Sequence, residues 1–151
     1  MKTLMPRMMM RARSVPEITL IGWGFLLNGI WEFLQTPLYA DHDRGTIYVL
    51  WSRLHCTGGD ILILLGAYCI TSLMFRTRFW PTDKGFPAWG VFIGCGFLYT
   101  AWSEWFNTQV AGAWAYGPSM PLVFGVGVSP LLQWLLVPGA LVFLLKRSGP
   151  S

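Results

Sequence analysis

The sequence predicts an all-α membrane protein of four transmembrane helices, built as two duplicated helical hairpins related by a pseudo-two-fold axis along the membrane normal. Three observations point there. Four apolar stretches are long enough to cross a bilayer, the basic residues gather at alternate ends of those stretches, and the first stretch repeats in the third. Composition agrees: hydrophobic residues make up 54% of the 151 and charged residues 12%, about half the charged share of a soluble domain. One domain covers residues 1–151, with repeat halves near 1–80 and 81–151.

A hydrocarbon core of ~30 Å needs about 20 helical residues. The stretches that qualify are 18–38, 57–75, 88–108 and 129–145. The segments between them, 41–53, 76–87 and 109–128, are rich in Gly, Pro or charge and read as loops. The first stretch is too long for the apolar region of a cleaved leader and carries Glu32, so it reads as a retained span.

Direction follows from Lys and Arg. Lys2, Arg7, Arg11, Arg13, Arg76, Arg78, Lys84, Lys146 and Arg147 fall on one side of a four-span chain, and only Arg44 and Arg53 on the other. Cytoplasmic loops carry the basic excess. The expectation is therefore a multi-pass inner-membrane protein with both termini cytoplasmic. Nine Trp, ten Phe and five Tyr suit a chain with two membrane interfaces to anchor. The pI near 9.2 has no basic stripe behind it, which excludes a nucleic-acid surface. Cys56, Cys69 and Cys95 show no metal or disulfide spacing and read as buried apolar side chains.

The duplication shows when the chain is offset by 72 residues. Residues 21–36 read IGWGFLLNGIWEFLQT and residues 93–108 read IGCGFLYTAWSEWFNT, seven identities in sixteen without a gap. The identities include Gly, Glu and Thr, which shared hydrophobicity does not explain. The second and fourth stretches match only weakly. Gly22, Gly24, Gly94 and Gly96 are expected to let the two matching helices approach each other closely.

Periodicity then gathers polar residues. Gly24, Asn28, Glu32 and Gln35 lie on one face of the first helix, and Gly96, Thr100, Glu104 and Asn107 repeat that spacing on the third. Glu32, Asp60, Glu104 and Gln133 lie within ~10 Å of the outer ends of their helices, with His55 just outside the second. A charge deep in a span costs about 2.5–3.5 kcal/mol on insertion scales, so such residues face a partner or a cavity. Two facing glutamates repel unless one binds a proton or both bind a cation.

These residues make Glu32, Glu104, His55 and Asp60 the catalytic candidates, with Glu32, Glu104 and His55 also candidate ligands of a divalent metal ion. Asn28, Asn107, Gln133, Trp114 and Tyr116 are candidates for substrate contact or for the supporting network. Each has a plainer reading. The glutamates could be protonated and glue the bundle together; Thr57, Gly58, Gly59 and Asp60 form a capping-box pattern; a single interfacial His can simply be solvated. Gln133 follows Ser129 and Pro130, a helix-start signature, and could only join the network. Asp41, His42 and Asp43 read as a solvated turn. Trp114 and Tyr116 could fold over the cluster as a lid, or belong to an aromatic interface belt.

No HExxH, P-loop or GxSxG is present. The leading expectation is a membrane enzyme whose outward-facing carboxylate, imidazole and amide cluster binds a metal or runs acid–base chemistry on an isoprenoid, quinone or other lipid. One alternative is an accessory subunit of a larger membrane complex with the cluster as structural glue; a second copy of the chain, as a homo-oligomer, is a further candidate partner. Another is a proton- or cation-coupled carrier. The bilayer and a lipid-soluble small molecule are the expected partners.

Overall fold

Pro16 opens the first helix. Its fixed φ and missing N–H suit a first helical position, and Glu17 follows in the positive first turn. In the computed structural model, which describes residues 15–148, this helix is α1 (Pro16–Gln35), extended by a 3₁₀ turn, Thr36–Leu38, around Pro37. Then come α2 (Thr46–Phe75), a short α3 (Trp80–Asp83), α4 (Phe86–Trp105) and α5 (Val128–Ser148). A π turn, Phe106–Val110, prolongs α4. Two two-residue strands, β1 (Leu122–Val123) and β2 (Val126–Gly127), pair antiparallel ahead of α5. Phe124 and Gly125 join them with φ of 51° and 80°, the left-handed pair that a tight hairpin turn requires.

The chain is mostly helical. Among the described residues, α2 and α5 are long and apolar enough to cross a membrane. The other two long helices are 20 residues each, but Asn28, Glu32 and Gln35 on α1 and Thr100 and Glu104 on α4 lower their hydropathy. Lys2, Arg7, Arg11 and Arg13 lie outside the described residues.

Helix α2 corrects the expected boundary. It starts at Thr46, eleven residues before the predicted 57, so most of the expected first loop is helix. Thr57 is therefore no cap: its hydroxyl donates to the Arg53 carbonyl at 2.8 Å in mid-helix. Asp60 is likewise no helix-start acid; it is buried in the bundle. Ser129 does not cap α5 through its side chain but donates to Gln35 Oε1 at 2.7 Å. At its other end α2 stops in a Schellman-type turn, with Arg76 at φ 55° and Thr77 N–H bonded to Ser72 O at 3.1 Å.

The four long helices form a ring in which α1 packs on α2 and α5, and α4 packs on α5 and α2. The matching helices are thus diagonal rather than adjacent, and the expected close approach through their glycines is not what these glycines do. A Cβ at Gly24 would come within 2.9 Å of Leu64 on α2, and one at Gly96 within 2.3 Å of Trp134 on α5. Gly22 and Gly94 face open space. The glycines seat each helix against its own hairpin partner.

The ring's interior is divided along its length. Toward α3 it is apolar: Trp80 is fully buried, its ring 5.5 Å from Tyr68 and 5.1 Å from Phe92. Leu20, Leu64 and Leu141 complete this half. Arg78 pairs with Glu17 at that end. Toward the other end the interior is polar, with Asn28, Glu32, Gln35, Arg53, Asp60, Thr100 and Gln133 all buried. The outer faces are apolar, with Leu34, Trp51, Leu62, Leu73 and Leu98 exposed. This inverts the pattern of a water-soluble bundle.

Candidate functional site

The polar end is closed by the two long connections. Tyr39 and Tyr116 form an isolated antiparallel bridge. Around it, Ala40 N–H donates to Ala115 O at 3.0 Å and Gly117 N–H to Leu38 O at 2.8 Å. Gly117 permits this approach, since a Cβ there would meet the Leu38 carbonyl oxygen at 3.3 Å. The clasp brings two phenols to the cluster. Tyr39 lies under the Arg53 guanidinium, 4.9 Å from its ring centre, and Tyr116 donates to Glu104 Oε2 at 2.5 Å. Burial first, and the neighbouring carboxylates second, push both phenols well above the ordinary tyrosine range. Both therefore remain O–H donors at physiological pH.

Arg53 is the charge at the centre of this end. It is 3% exposed. Its Nη1 lies 3.7 Å from Glu32, and its Nη2 bridges both oxygens of Asp41 at 2.9 Å. Asp41 is thus no solvated turn residue but the principal partner of a buried guanidinium. His42 Nδ1 lies 2.8 Å from the Tyr39 carbonyl and so stays in the loop.

Beneath Arg53 an amide network joins α1, α2 and α5. Gln133 Nε2 donates to Asn28 Oδ1 and to Asp60 Oδ2, each at 2.9 Å. Gln35 Nε2 donates to Glu32 Oε1 at 2.8 Å and reaches Gln133 Oε1 at 3.4 Å. Trp31 Nε1 donates to the Ser129 hydroxyl at 3.2 Å. Asn28 also donates to Gly24 O at 2.9 Å. Unsatisfied amides in such an interior would each cost ~1–3 kcal/mol, and here they satisfy one another.

Beside the network is a cavity of about 300 Å³. Of the sequence candidates, Glu32, Asp60, Glu104, His55, Gln133 and Trp114 line it. His55 is exposed at its edge, and Trp114 Nε1 reaches Glu104 Oε2 at 3.4 Å. Tyr116 touches the cluster through Glu104, and Asn28 through Gln133. Asn107 is not brought in: it turns back onto Ser103 O at 2.8 Å and Ser103 Oγ at 3.2 Å. Arg53, Asp41, Tyr39 and Cys56 line the cavity unforeseen. Arg53 had a signal, since it stands seven residues before Asp60 and so on the same helical face. A boundary drawn at residue 57 hid it.

Four carboxylates thus meet one space with three kinds of partner: the Arg53 guanidinium at Glu32 and Asp41, a phenol and an indole at Glu104, and an amide at Asp60. Carboxylates in unlike environments can divide the roles of acid and base. A metal site is not assembled. Among the described residues no three His, Cys, Asp or Glu side chains are placed to hold an ion; Glu32 and Asp60 are engaged instead by Arg53 and by the network amides. Two buried groups at the cavity have no hydrogen-bond partner, Arg53 Nε and Thr100 Oγ1.

Comparison with protein-family models, with characterised proteins and with solved structures yields no match for this chain.

Proposed function

We propose that the chain is a four-span membrane enzyme, with both termini cytoplasmic, whose outward-facing cavity runs acid–base chemistry on an apolar substrate. The observation that carries this reading is the cavity itself. Four carboxylates and one guanidinium surround a space roofed by two clasped loops, and two buried polar atoms of its lining, Arg53 Nε and Thr100 Oγ1, make no hydrogen bond.

The membrane part rests on the inverted surface, with polar residues inside and large apolar residues outside. The side now given to Arg53 strengthens the orientation. With its charge paired with Asp41 and Glu32, Arg44 is the one Lys or Arg at that end, among the described residues, that forms no ion pair with a carboxylate. The two-fold repeat is supported by burial: Leu20, Gly24 and Asn28 are buried on α1, and Phe92, Gly96 and Thr100 on α4, at the same 72-residue offset. Glu32 and Glu104 then both turn to the cavity.

Roles follow from position. Glu104, held by Tyr116 and Trp114 at the roof, and Glu32, beside Arg53, would exchange protons with the substrate. His55 at the edge would pass them to solvent. Wild-type protein reconstituted with a membrane-lipid extract should convert one apolar component, and Glu104→Gln should stop that conversion, as read by mass spectrometry. The satisfied amide network favours a second reading, an accessory subunit with the cluster as glue. An unchanged extract, with wild-type protein that copurifies in fixed ratio with a larger membrane complex, would replace the enzyme by that subunit.

A further inference from the structure

A second concavity, of about 460 Å³, runs down the outside of the bundle between α2 and α4. Leu62, Gly66, Ile70 and Tyr99 line it, and Gly59, Ile63 and Ser103 belong both to it and to the polar cavity. The two spaces therefore adjoin, with these three residues as their common wall. From Gly59 to Ile70 the groove follows ~16 Å of helix, a narrow apolar track that starts at the carboxylates and opens sideways where lipid would lie.

The groove exists because side chains are missing. A Cβ at Gly59 or Gly66 would touch nothing within 4 Å. Gly24 and Gly96 behave oppositely, since each is filled by a neighbouring side chain. The α2 glycines keep space open rather than bring helices together, which is the commoner use of small residues in membranes.

The polar end limits what the head of an occupant can be. Glu32, Asp41, Asp60 and Glu104 face a single guanidinium there, so an anionic head such as a phosphate would meet a surplus of carboxylates. Two buried polar atoms of the lining without a hydrogen-bond partner select further. Arg53 Nε is a donor and needs an acceptor, which an ammonium cannot be. Thr100 Oγ1 can donate or accept. An uncharged oxygen, hydroxyl or carbonyl, satisfies both.

We propose that the α2–α4 groove holds the single hydrocarbon chain of a lipid whose uncharged oxygen head lies in the cavity between Arg53 and Thr100. This rests on reading the cavity as the active site and names the substrate class for it: a long-chain alcohol or carbonyl compound that arrives sideways from the outer leaflet.

The test measures binding, not turnover. Protein in lipid nanodiscs is photolabelled with three diazirine probes that share one linear chain and end in an alcohol, a phosphate monoester or a primary amine, and labelled peptides are mapped. The alcohol probe should label the groove faces of α2 and α4 and be displaced by unlabelled long-chain alcohol. A Cβ at Gly66 meets nothing within 4 Å, so Gly66→Leu should project into the groove and weaken labelling roughly tenfold or more, the loss that ~1.4 kcal/mol of binding carries. Gly59→Leu, at the junction, should do the same. Gly90→Leu, on an open face of α4 away from the groove, should leave labelling unchanged and controls for a general effect of added leucine. Label spread over all lipid-facing surfaces, or groove label indifferent to both fillings, would overturn the proposal. Stronger labelling by the phosphate or the amine would overturn the head assignment. Groove labelling by the alcohol with no conversion in any lipid extract would uphold the groove and sink the enzyme instead.

Discussion

Arg53 of α2 reaches Glu32 of α1 across 3.7 Å, and neither side chain is exposed to solvent. The pair is completed by Asp41 at 2.9 Å and by the Tyr39 ring below the guanidinium. Moving such charges out of water is costly, and their attraction repays that only when every group is partnered. The geometry therefore makes Arg53 the residue whose loss is felt most.

Arg53→Met should lower stability by ~3–5 kcal/mol, because it leaves two carboxylates uncompensated in the bundle. Adding Glu32→Gln to Arg53→Met should restore part of the loss, since contacting partners are not additive. Thermal unfolding in detergent reads both. Equal melting temperatures for wild type and Arg53→Met would show that the charges are not buried together.

Tyr116→Phe removes the 2.5 Å hydrogen bond to Glu104, with the lesser contacts of the hydroxyl to Gly127 and Thr108. A hydrogen bond to a charged group contributes ~1.5–3 kcal/mol, so a stability loss in that range is expected. Trp114→Phe removes only a 3.4 Å contact and should cost less. Turnover should follow the same order. A larger effect from Trp114 than from Tyr116 would contradict the arrangement of the roof.

High pH offers a separate check on the clasp. Tyr39 and Tyr116 are both raised by burial and then by carboxylates, whereas an unfolded tyrosine ionises at about 10. A raised folded value means that stability is fully present below the unfolded value and is lost as pH climbs from there toward the folded one. Unfolding midpoints should be flat up to about pH 9 and fall beyond pH 10. The double variant Tyr39→Phe, Tyr116→Phe should flatten that fall, and an unchanged slope would place the phenols in water.

Much of this was legible in the chain. The stripe of Gly24, Asn28 and Glu32 reads directly from spacing, because a helix forces residues four apart onto one face, and all three are buried. Gln133 on α5 was placed with them by depth alone. Other parts were hidden for physical reasons. The spacing of Arg53 from Asp60 is outweighed because an arginine near the end of an apolar stretch normally marks an aqueous loop, and its pairing with Asp41 is what lets it turn inward. Tyr39 and Tyr116 meet through a single β bridge between segments far apart in sequence, and no local pattern announces that. The destinations of Gly24 and Gly96 were misjudged because a repeat shows which faces match but not which neighbour fills them.

Topology can be tested independently of chemistry. A reporter fused at Asp83, the last residue of α3, should read cytoplasm, and one at Ser119 should read the outside. The basis is the clustering of Arg76, Arg78, Lys84, Lys146 and Arg147 at the α3 end, against Arg44 at the other. A cytoplasmic Ser119 would reverse the cavity's exposure.

His55 and Gln133 separate function from architecture most sharply. Both line the cavity, yet His55 is exposed at its edge while Gln133 is buried and bonded to Asn28 and Asp60 at 2.9 Å each. His55→Ala removes little packing and should shift stability by no more than ~0.5 kcal/mol, as surface changes do. Its effect should fall on turnover, and most at low proton-carrier concentration, where added imidazole should restore part of the rate. Gln133→Leu keeps the side-chain volume but strands an amide and a carboxylate, each at ~1–3 kcal/mol, so the bundle itself should weaken. If the cluster is only glue, the two variants should differ in stability alone, and imidazole should do nothing for either. Rescue of His55→Ala by imidazole, in protein that melts with the wild type, is the result that only a proton-transfer site gives.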